Sequence, residues 1–219
     1  MGWLLLSPTA LEASFLRGEA FSFLGRRGLR GEGFVYLETG IGKVNAALTL
    51  ATWASRNPVE RALLLGIAGA YPEAGLALGE AVLVGEEVEA DLGLREGLEP
   101  LGFPALEVGG KRYYNRFPLD PGLTQRLAQA LGLKVAVGLT RDLVSETSEE
   151  AEALARRWGA QVESMEGAAF ARACLLLGVR GVELRAISNP AGVRDKAAWR
   201  VREAVAALGE AVGRLLEKG

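Results

Sequence analysis

Short apolar runs alternate with longer amphipathic stretches along the chain, and this alternation constrains the fold more than any other feature of the sequence. Runs such as Val182–Ile187 are typical of buried strands, and the stretches between the runs carry apolar residues at helical spacing. The alternation therefore predicts an α/β fold with a central, largely buried sheet and helices on its faces. The predicted strands span residues 2–6, 33–38, 61–65, 80–89, 134–139, 160–163 and 182–187, and the predicted helices span 9–17, 44–56, 121–131, 148–158, 166–177 and 196–217.

Two segments interrupt this alternation. Gly66–Ala70 is interpreted as a loop of small residues, and 90–118 as an irregular excursion rich in glycine, proline and aromatic residues. Because the sequence shows no linker, repeat or low-complexity tract, residues 1–219 are expected to form a single domain. No apolar run reaches the roughly 18 residues of a membrane span, and the first residues lack the basic flank of a signal peptide. We therefore expect a cytoplasmic protein without membrane contact.

The chain has no histidine and one cysteine, which excludes several classes of mechanism. Neither a Ser-His-Asp triad nor a Cys-His pair can be built, and the same holds for a histidine or CxxC metal site. Acid–base chemistry near neutral pH must come from carboxylates, lysine, tyrosine, the thiol or an amide. The formal net charge of -2, with arginine and glutamate interspersed, gives no basic surface for nucleic acid.

The run Gly40-Ile41-Gly42-Lys43-Val44 suggests a nucleotide-binding loop, but it does not complete either known pattern. A P-loop needs glycine at position 37 and Ser or Thr at position 44, and a dinucleotide fingerprint needs glycine at position 45. The sequence has leucine, valine and asparagine at these positions. Two interpretations remain open: a tight strand-to-helix turn, or a loop that faces a substrate.

Polar side chains cluster at the ends of predicted strands, in Ser7–Glu12, Val162–Ala169 and Arg185–Asn189. In open α/β sheets, ligands bind where strands end and helices begin. The three segments are therefore expected to meet at one site.

Four motifs occur in the order and spacing of the nucleoside phosphorylase/nucleosidase superfamily, and they are Thr39-Gly-Ile-Gly-Lys-Val-Asn-Ala-Ala-Leu48, Leu65-Gly-Ile-Ala-Gly69, Ser164-Met-Glu-Gly-Ala168 and Arg185-Ala-Ile-Ser-Asn189. Within this superfamily the chain resembles the nucleosidases that act on 5′-methylthioadenosine and S-adenosylhomocysteine, and most of all the futalosine hydrolase subgroup. The resemblance implies a three-layer nucleoside phosphorylase-like fold, in which helices flank a central mixed, partly barrel-like sheet.

The resemblance also implies roles for individual residues. Glu166 matches the family glutamate that binds the ribose hydroxyls and stabilises positive charge on the sugar. Met165 beside it would form an apolar floor for the sugar, and Ser164 is expected to contact the substrate. Glu12 matches the glutamate that activates the attacking water. Local alternatives stay open, since Glu166 also suits a helix amino terminus and Thr9-x-x-Glu12 is also a capping box.

Asn189 stands where the adenine-specific relatives carry an aspartate that protonates N7 of the leaving purine. An amide has no proton to lose at working pH, but it can donate N–H to a 6-oxo group while its carbonyl accepts a hydrogen bond from a protonated N7. This pattern favours hypoxanthine over adenine. The alternative is a strand-end asparagine that bonds its own backbone before Pro190.

The remaining expected contacts concern the nucleophile and the base. Leu64 and Ile67 occupy positions where the phosphate-dependent branch carries Arg and Ser, so water is the predicted nucleophile. Backbone groups of Ala68 and Gly69 are predicted to contact the purine or the sugar. Trp199 is predicted to cover the base, with core packing as the alternative.

Aromatic residues elsewhere fit the family pattern less well. The stretch 143–147, where the relatives carry a second stacking aromatic, contains none. Tyr113, Tyr114 and Phe117 either line a pocket for the 5′ substituent or pack within their own segment.

The resemblance thus implies an N-glycosidase that hydrolyses futalosine to hypoxanthine and dehypoxanthine futalosine, in the futalosine pathway of menaquinone biosynthesis. It implies no metal or organic cofactor, a small purine nucleoside as substrate, and a homodimer or higher homo-oligomer. Three alternatives remain: a methylthioadenosine/S-adenosylhomocysteine nucleosidase, a phosphorolytic inosine-cleaving enzyme, and a non-catalytic nucleoside-binding protein.

Overall fold

The computed structural model describes residues 2–217 as twelve strands and five α-helices. The strands are β1 (Trp3–Ser7), β2 (Glu19–Phe23), β3 (Arg26–Gly31), β4 (Phe34–Glu38), β5 (Arg61–Ala70), β6 (Ala81–Glu89), β7 (Leu106–Val108), β8 (Lys111–Tyr113), β9 (Arg116–Pro118), β10 (Lys134–Thr140), β11 (Val162–Ser164) and β12 (Arg180–Pro190). The helices are α1 (Lys43–Ala54), α2 (Pro121–Leu131), α3 (Ser148–Trp158), α4 (Gly167–Leu177) and α5 (Val201–Glu217), with short 3-10 turns at Glu99–Leu101 and Lys196–Ala198. None of the described helices is long and apolar enough to span a bilayer.

The main sheet is mixed and closes on itself over part of its width. Its strands follow the order β11-β10-β6-β12-β5-β1-β4-β3-β2, and β11 also pairs with β5. The strands β11, β10, β6, β12 and β5 therefore form a closed ring, and β1, β4, β3 and β2 extend from it as an open arm. The four adjacent strands β4, β1, β5 and β12 are parallel to one another, whereas β12 is antiparallel to β6. This topology confirms the predicted mixed, partly barrel-like sheet.

Helices cover both faces of the sheet, which explains why β1 and β5 are almost wholly apolar. Leu5 of β1 packs in a cluster with residues of α2 and α5. Its neighbours Leu4 and Leu6 point to the other face and pack with residues of α1 and α4. The result is the three-layer arrangement expected from the alternating sequence pattern.

The carboxyl ends of β1, β4, β5 and β12 gather at one edge of the sheet because these strands are parallel. The register between β12 and β5 shifts between Ile187 and Asn189, which is the mark of a β-bulge. A bulge re-aims the side chains that follow it. The irregularity thus lies at the strand end where the sequence places its polar amide.

Four sequence-based predictions differ from the structure. Residues 9–17 form successive turns instead of a helix, because the Glu12 carboxylate binds the backbone of Thr9 and Ile67. Gly66–Ala70 is not a loop, since β5 continues to Ala70 through pairing with β12 and β11. The hairpin of β2 and β3 is absent from the prediction, and it turns at Leu24 and Gly25, both with positive φ. The closing helix begins at Val201, and residues 196–200 precede it.

Candidate active site

A cavity of about 390 Å³ lies at the edge of the sheet where the parallel strands end. All eight residues singled out as site residues from the sequence line it: Glu12, Ala68, Gly69, Ser164, Met165, Glu166, Asn189 and Trp199. They come from segments distributed over most of the chain, so the fold brings them together. Their individual roles remain predictions.

Glu12 lies in the turn that follows β1 and is 5% exposed. Its Oε2 accepts hydrogen bonds from the backbone N of Thr9 at 3.0 Å and from Thr9 Oγ1 at 2.7 Å, and its Oε1 accepts one from the N of Ile67 at 3.0 Å. Burial raises the pKa of the Glu12 carboxyl above its ordinary value, although these hydrogen bonds oppose the shift. No helix follows Thr9, so the pair does not cap one. The carboxylate is held rigidly and its proton affinity is increased, as a general base requires.

Glycine at position 66 is required for this arrangement. A Cβ atom there would lie 2.5 Å from Nη1 of Arg185 and 3.0 Å from Oε1 of Glu12. Any side chain would therefore displace both groups. Gly66, in the segment that the sequence analysis interprets as a loop, thus makes room for charged side chains behind the cavity.

Glu166 immediately precedes α4 and is 3% exposed. Its Oε1 accepts a hydrogen bond from the backbone N of Gly42 at 2.9 Å, and its Oε2 lies 3.5 Å from Nη2 of Arg185. Its side chain makes no capping hydrogen bond to α4, so the carboxylate is directed away from its own helix. The segment Gly40–Lys43 is the strand-to-helix turn between β4 and α1. It also faces the cavity, because Ile41 lines the cavity and the N–H of Gly42 binds Glu166.

Asn189 is at the cavity wall directly after the β12 bulge. Its Oδ1 accepts a hydrogen bond from Ser188 Oγ at 2.8 Å, and its Nδ2 donates to the carbonyl of Pro190 at 2.9 Å. The local backbone bond considered from the sequence is therefore present. An amide carries two N–H donors and two acceptor lone pairs, so one donor and one acceptor position remain for a purine.

The apolar walls of the cavity come from Met165, Trp199 and Val144. The indole N–H of Trp199 donates to the carbonyl of Val193 at 3.1 Å, which fixes the ring at the mouth. Ser164 Oγ is buried and has no hydrogen-bond partner among the described residues. A hydroxyl in that condition, at the wall of a cavity, is available to a polar ligand.

Two functional groupings escape the sequence-based reasoning. Arg185 is fully buried behind the cavity, and its Nε donates to Oε1 of Glu183 at 2.7 Å. Glu163 accepts hydrogen bonds from the hydroxyl of Tyr71 at 2.9 Å and from the backbone N of Ser145 at 3.0 Å, which holds the 143–147 segment against the cavity. The one signal in the sequence for these two groups of contacts is a charged residue within an otherwise apolar strand.

The aromatic residues of the irregular segment do not line this cavity. Phe117 is fully buried, and Tyr113 packs against the same core cluster, with ring centroids 6.4 Å apart. Between residues 2 and 217 we find no cluster of three or more acidic or cysteine side chains suited to a metal ion.

Comparison with known proteins extends these observations. The sequence profile of the Phosphorylase superfamily matches residues 17–218. The chain is 77% identical to a futalosine hydrolase of Thermus thermophilus over 214 residues, which cover 98% of this chain and 95% of that protein. It is 38% identical to a futalosine hydrolase of Streptomyces coelicolor over 196 residues, or 84% of this chain and 79% of that one.

Solved structures show the same architecture. A methylthioadenosine/S-adenosylhomocysteine nucleosidase of Colwellia psychrerythraea, in complex with adenine, superposes with a TM-score of 0.83 at 22% identity, covering 100% of this chain and 95% of that one. A futalosine hydrolase of Helicobacter pylori superposes with a TM-score of 0.83 at 20% identity, and the whole of both chains is covered. At such identities the likeness establishes the fold alone.

Proposed function

The chain belongs to the phosphorylase superfamily, and from this premise we propose that it hydrolyses the N-glycosidic bond of futalosine, releasing hypoxanthine and dehypoxanthine futalosine. The observation that carries the proposal is the cavity in which two buried carboxylates and one amide face the same space. The futalosine hydrolases that the chain is similar to supply the substrate, because the residues of the cavity do not specify the 5′ substituent.

The two carboxylates act on different parts of the reaction at the sugar: Glu166 on the ribose and Glu12 on the attacking water. Glu166 accepts hydrogen bonds from the ribose hydroxyls and stabilises the positive charge that develops on the ring as the bond to the base breaks. Glu12, with its pKa raised by burial, takes a proton from the water that attacks the anomeric carbon. The backbone N–H groups that bind both carboxylates keep them in place for this reaction.

Asn189 faces the departing base. Its free N–H donates to the 6-oxo group, and its carbonyl accepts a hydrogen bond from N7, which takes up a proton from solvent as the glycosidic bond breaks. Such a purine leaves as neutral hypoxanthine. Adenine would present its 6-amino donor to the same amide N–H, and this mismatch in a buried site excludes it.

Water is favoured over phosphate by the charge of the cavity. Within residues 2–217 the cavity lining contains no lysine or arginine. The cation behind it, Arg185, is already bound to Glu183 and Glu166. A phosphate dianion requires an arginine, a lysine or a row of backbone donors, and here it would meet the carboxylates of Glu12, Glu163 and Glu166 instead.

We extend the proposal to the setting of the reaction. It belongs to the futalosine route to menaquinone, takes place in the cytoplasm and uses no cofactor. The chain's own groups are sufficient for it: a base for water, an acceptor for the sugar hydroxyls, and an amide for the purine.

A second copy of the chain is proposed as the partner. Apolar side chains of α1 and α4 are exposed side by side, among them Val44 at 78% and Leu176 at 64%, around a groove of about 530 Å³. An exposed apolar patch of this kind marks an interaction surface. We expect the protein to sediment as a dimer or larger assembly, Leu176→Glu to sediment as a monomer, and Leu24→Glu on the β2–β3 turn to behave as the wild type. A monomeric wild type would contradict this assignment.

The decisive test of the activity is chromatography of futalosine, inosine and methylthioadenosine incubated with the protein, with and without phosphate. We expect hypoxanthine from futalosine at a rate independent of phosphate. Adenine release from methylthioadenosine as the dominant activity would support the adenine-specific nucleosidase instead. A requirement for phosphate would support the phosphorolytic alternative, and the absence of turnover on all three would support a binding protein.

A further inference from the structure

Four charged side chains lie together behind the cavity and form what we call the buried charge cluster: Glu87, Glu166, Glu183 and Arg185. Glu87 and Glu183 are fully buried, and Arg185 is 1% exposed. Glu183 and Arg185 are two residues apart on β12 and so point to the same face, towards Glu87 on β6. The cluster thus contains three acids and one cation.

The fold makes room for the two acids that do not reach the cavity. A Cβ atom at Gly138 or at Gly167 would overlap the carboxyl group of Glu87. At Gly167 it would also lie 2.7 Å from Oε1 of Glu183. Glycine at these two positions, one on β10 and one at the start of α4, therefore keeps the space that these carboxyls fill.

The hydrogen bonds of the two acids leave one oxygen of each without a donor. Oε2 of Glu87 accepts from Thr140 Oγ1 at 2.7 Å, and Oε1 of Glu183 accepts from Arg185 Nε at 2.7 Å. Within residues 2–217, the other two oxygens, Oε1 of Glu87 and Oε2 of Glu183, are buried and have no hydrogen-bond partner. The two carboxyl groups are within hydrogen-bond reach of each other.

The excess of negative charge in the cluster favours a proton at this place. Three ionised carboxylates around one guanidinium would leave excess negative charge in a region without solvent, which proteins avoid by protonation. Burial raises the pKa of both carboxyls, and that of Glu87 well above its usual range. Glu87 is the better proton carrier because Glu183 is stabilised as an anion by Arg185.

We propose that Glu87 carries a proton on Oε1 and donates it in a hydrogen bond to Oε2 of Glu183. This pair orients Arg185, so Glu87 and Glu183 act as positioning residues for the reaction. The proposal rests on the proposed hydrolase function. Ionised Glu183 draws the guanidinium towards itself, at 2.7 Å, while the distance from Arg185 to Glu166 is 3.5 Å. Glu166 therefore keeps its oxygens available for the ribose hydroxyls.

Among the described residues, polar and titratable groups from three elements surround Glu87 and its partner Glu183. β12 contributes Glu183 and Arg185, β10 contributes Thr140, and Cys174 of α4 lies near Glu183. The hydroxyl of Thr140 accepts a hydrogen bond from the N of Ala168 and donates its own proton to Glu87. Because Thr140 donates to Oε2 of Glu87, Oε1 is the oxygen that remains to carry the proton.

The test compares Glu87→Gln with Glu183→Gln and uses Glu107→Gln, on an exposed hairpin, as the control. A glutamine at position 87 supplies a permanent N–H to Glu183, so we expect kcat/KM near neutral pH to stay close to the wild type. The fall of kcat/KM at high pH, which follows from loss of the shared proton, should disappear in this variant. Glu183→Gln frees Arg185 to neutralise Glu166, and we expect kcat/KM to fall about 10²-fold, the scale of a misplaced reacting group.

Infrared spectroscopy gives a readout that does not depend on turnover. The wild type should show the C=O band of a protonated carboxyl at neutral pH, Glu87→Gln should lose it, and Glu107→Gln should retain it. If Glu183→Gln fails to fold, this band and the pH profile of Glu87→Gln still decide the question. The proposal would be overturned if Glu87→Gln retained the infrared band or the fall of kcat/KM at high pH. Full activity of folded Glu183→Gln would overturn it as well. A wild type that does not hydrolyse futalosine would refute the proposed function but leave the infrared result valid.

Discussion

The molecule has a cavity at each end of its parallel strands, and the two cavities differ in how they hold charge. The cavity at the carboxyl ends measures about 390 Å³ and the one at the amino ends about 490 Å³. At the carboxyl ends, Glu12 and Glu166 are nearly buried and accept hydrogen bonds from backbone N–H groups. At the amino ends, Arg30 and Arg61 rest on aromatic faces, with the Arg61 guanidinium 4.6 Å from the ring of Trp3.

This difference shows that cavity size does not identify the active site of this fold. A buried carboxylate held by backbone donors is fixed in position and keeps lone pairs for a reaction. A guanidinium stacked on an indole instead covers the core through a cation–π contact. We therefore expect changes at the carboxyl ends to alter catalysis and changes at the amino ends to alter stability alone.

The largest expected effect is that of Glu12→Gln. Loss of the base should lower kcat for futalosine hydrolysis by about 10²- to 10⁴-fold, while binding of futalosine changes little because the amide keeps the size of the side chain. Steady-state kinetics and calorimetry of binding measure the two quantities. Glu60→Gln, in the cavity at the amino ends, is the matched control and should retain wild-type kcat. Equal losses in both variants would break the distinction between the two ends.

The next effect concerns the choice of base. Asn189→Asp removes the N–H that faces the 6-oxo group and introduces an acid, so the ratio of kcat/KM for futalosine to that for its 6-amino counterpart should fall by about 10²-fold. Asn57→Asp makes the same change in the other cavity and should leave the ratio unaltered. An unchanged ratio in Asn189→Asp would remove the role assigned to this amide.

The sequence predicts the gathering of the active-site residues better than the structure of the segments that hold them. Short apolar strands with polar residues at their ends are enough to bring Glu12, Glu166 and Asn189 to one edge of a parallel sheet, because that edge is common to all the strand ends. The segment 66–70 is predicted wrongly because glycine and alanine have low strand propensity, and only the pairing of β5 with β11 and β12 makes it a strand.

The buried charge cluster lies outside the reach of local sequence patterns. Glu87 and Arg185 are 98 positions apart in the numbering, and their strands β6 and β12 are neighbours only in the closed ring. A glutamate in a strand is normally assigned to the solvent side. The space that Gly138 and Gly167 leave for it depends on tertiary packing, which no periodicity encodes.

A smaller effect is expected on the pH dependence of activity. Glu12 must be ionised to act as a base, and burial raises its pKa above the ordinary value of 4.5. The acid limb of kcat/KM should therefore lie above pH 4.5, with activity falling about tenfold for each further unit of acidification. Thr9→Val removes a hydrogen bond that lowers this pKa, so its acid limb should move to still higher pH. A limb at or below pH 4.5 in the wild type would show that another group limits the rate.

The smallest expected effect belongs to the cavity at the amino ends. Arg61 covers the face of Trp3, which is 3% exposed, and a cation–π contact of this kind contributes about 0.5–2 kcal/mol to the free energy of unfolding. Arg61→Gln should lower that free energy by such an amount in urea denaturation and leave kcat/KM for futalosine at the wild-type value. Arg61→Lys should restore part of the stability, because it keeps a cation over the ring. A loss of activity in Arg61→Gln would mean that the two ends are coupled through β5, whose amino end carries Arg61 and whose carboxyl end holds Glu12 through the backbone N–H of Ile67.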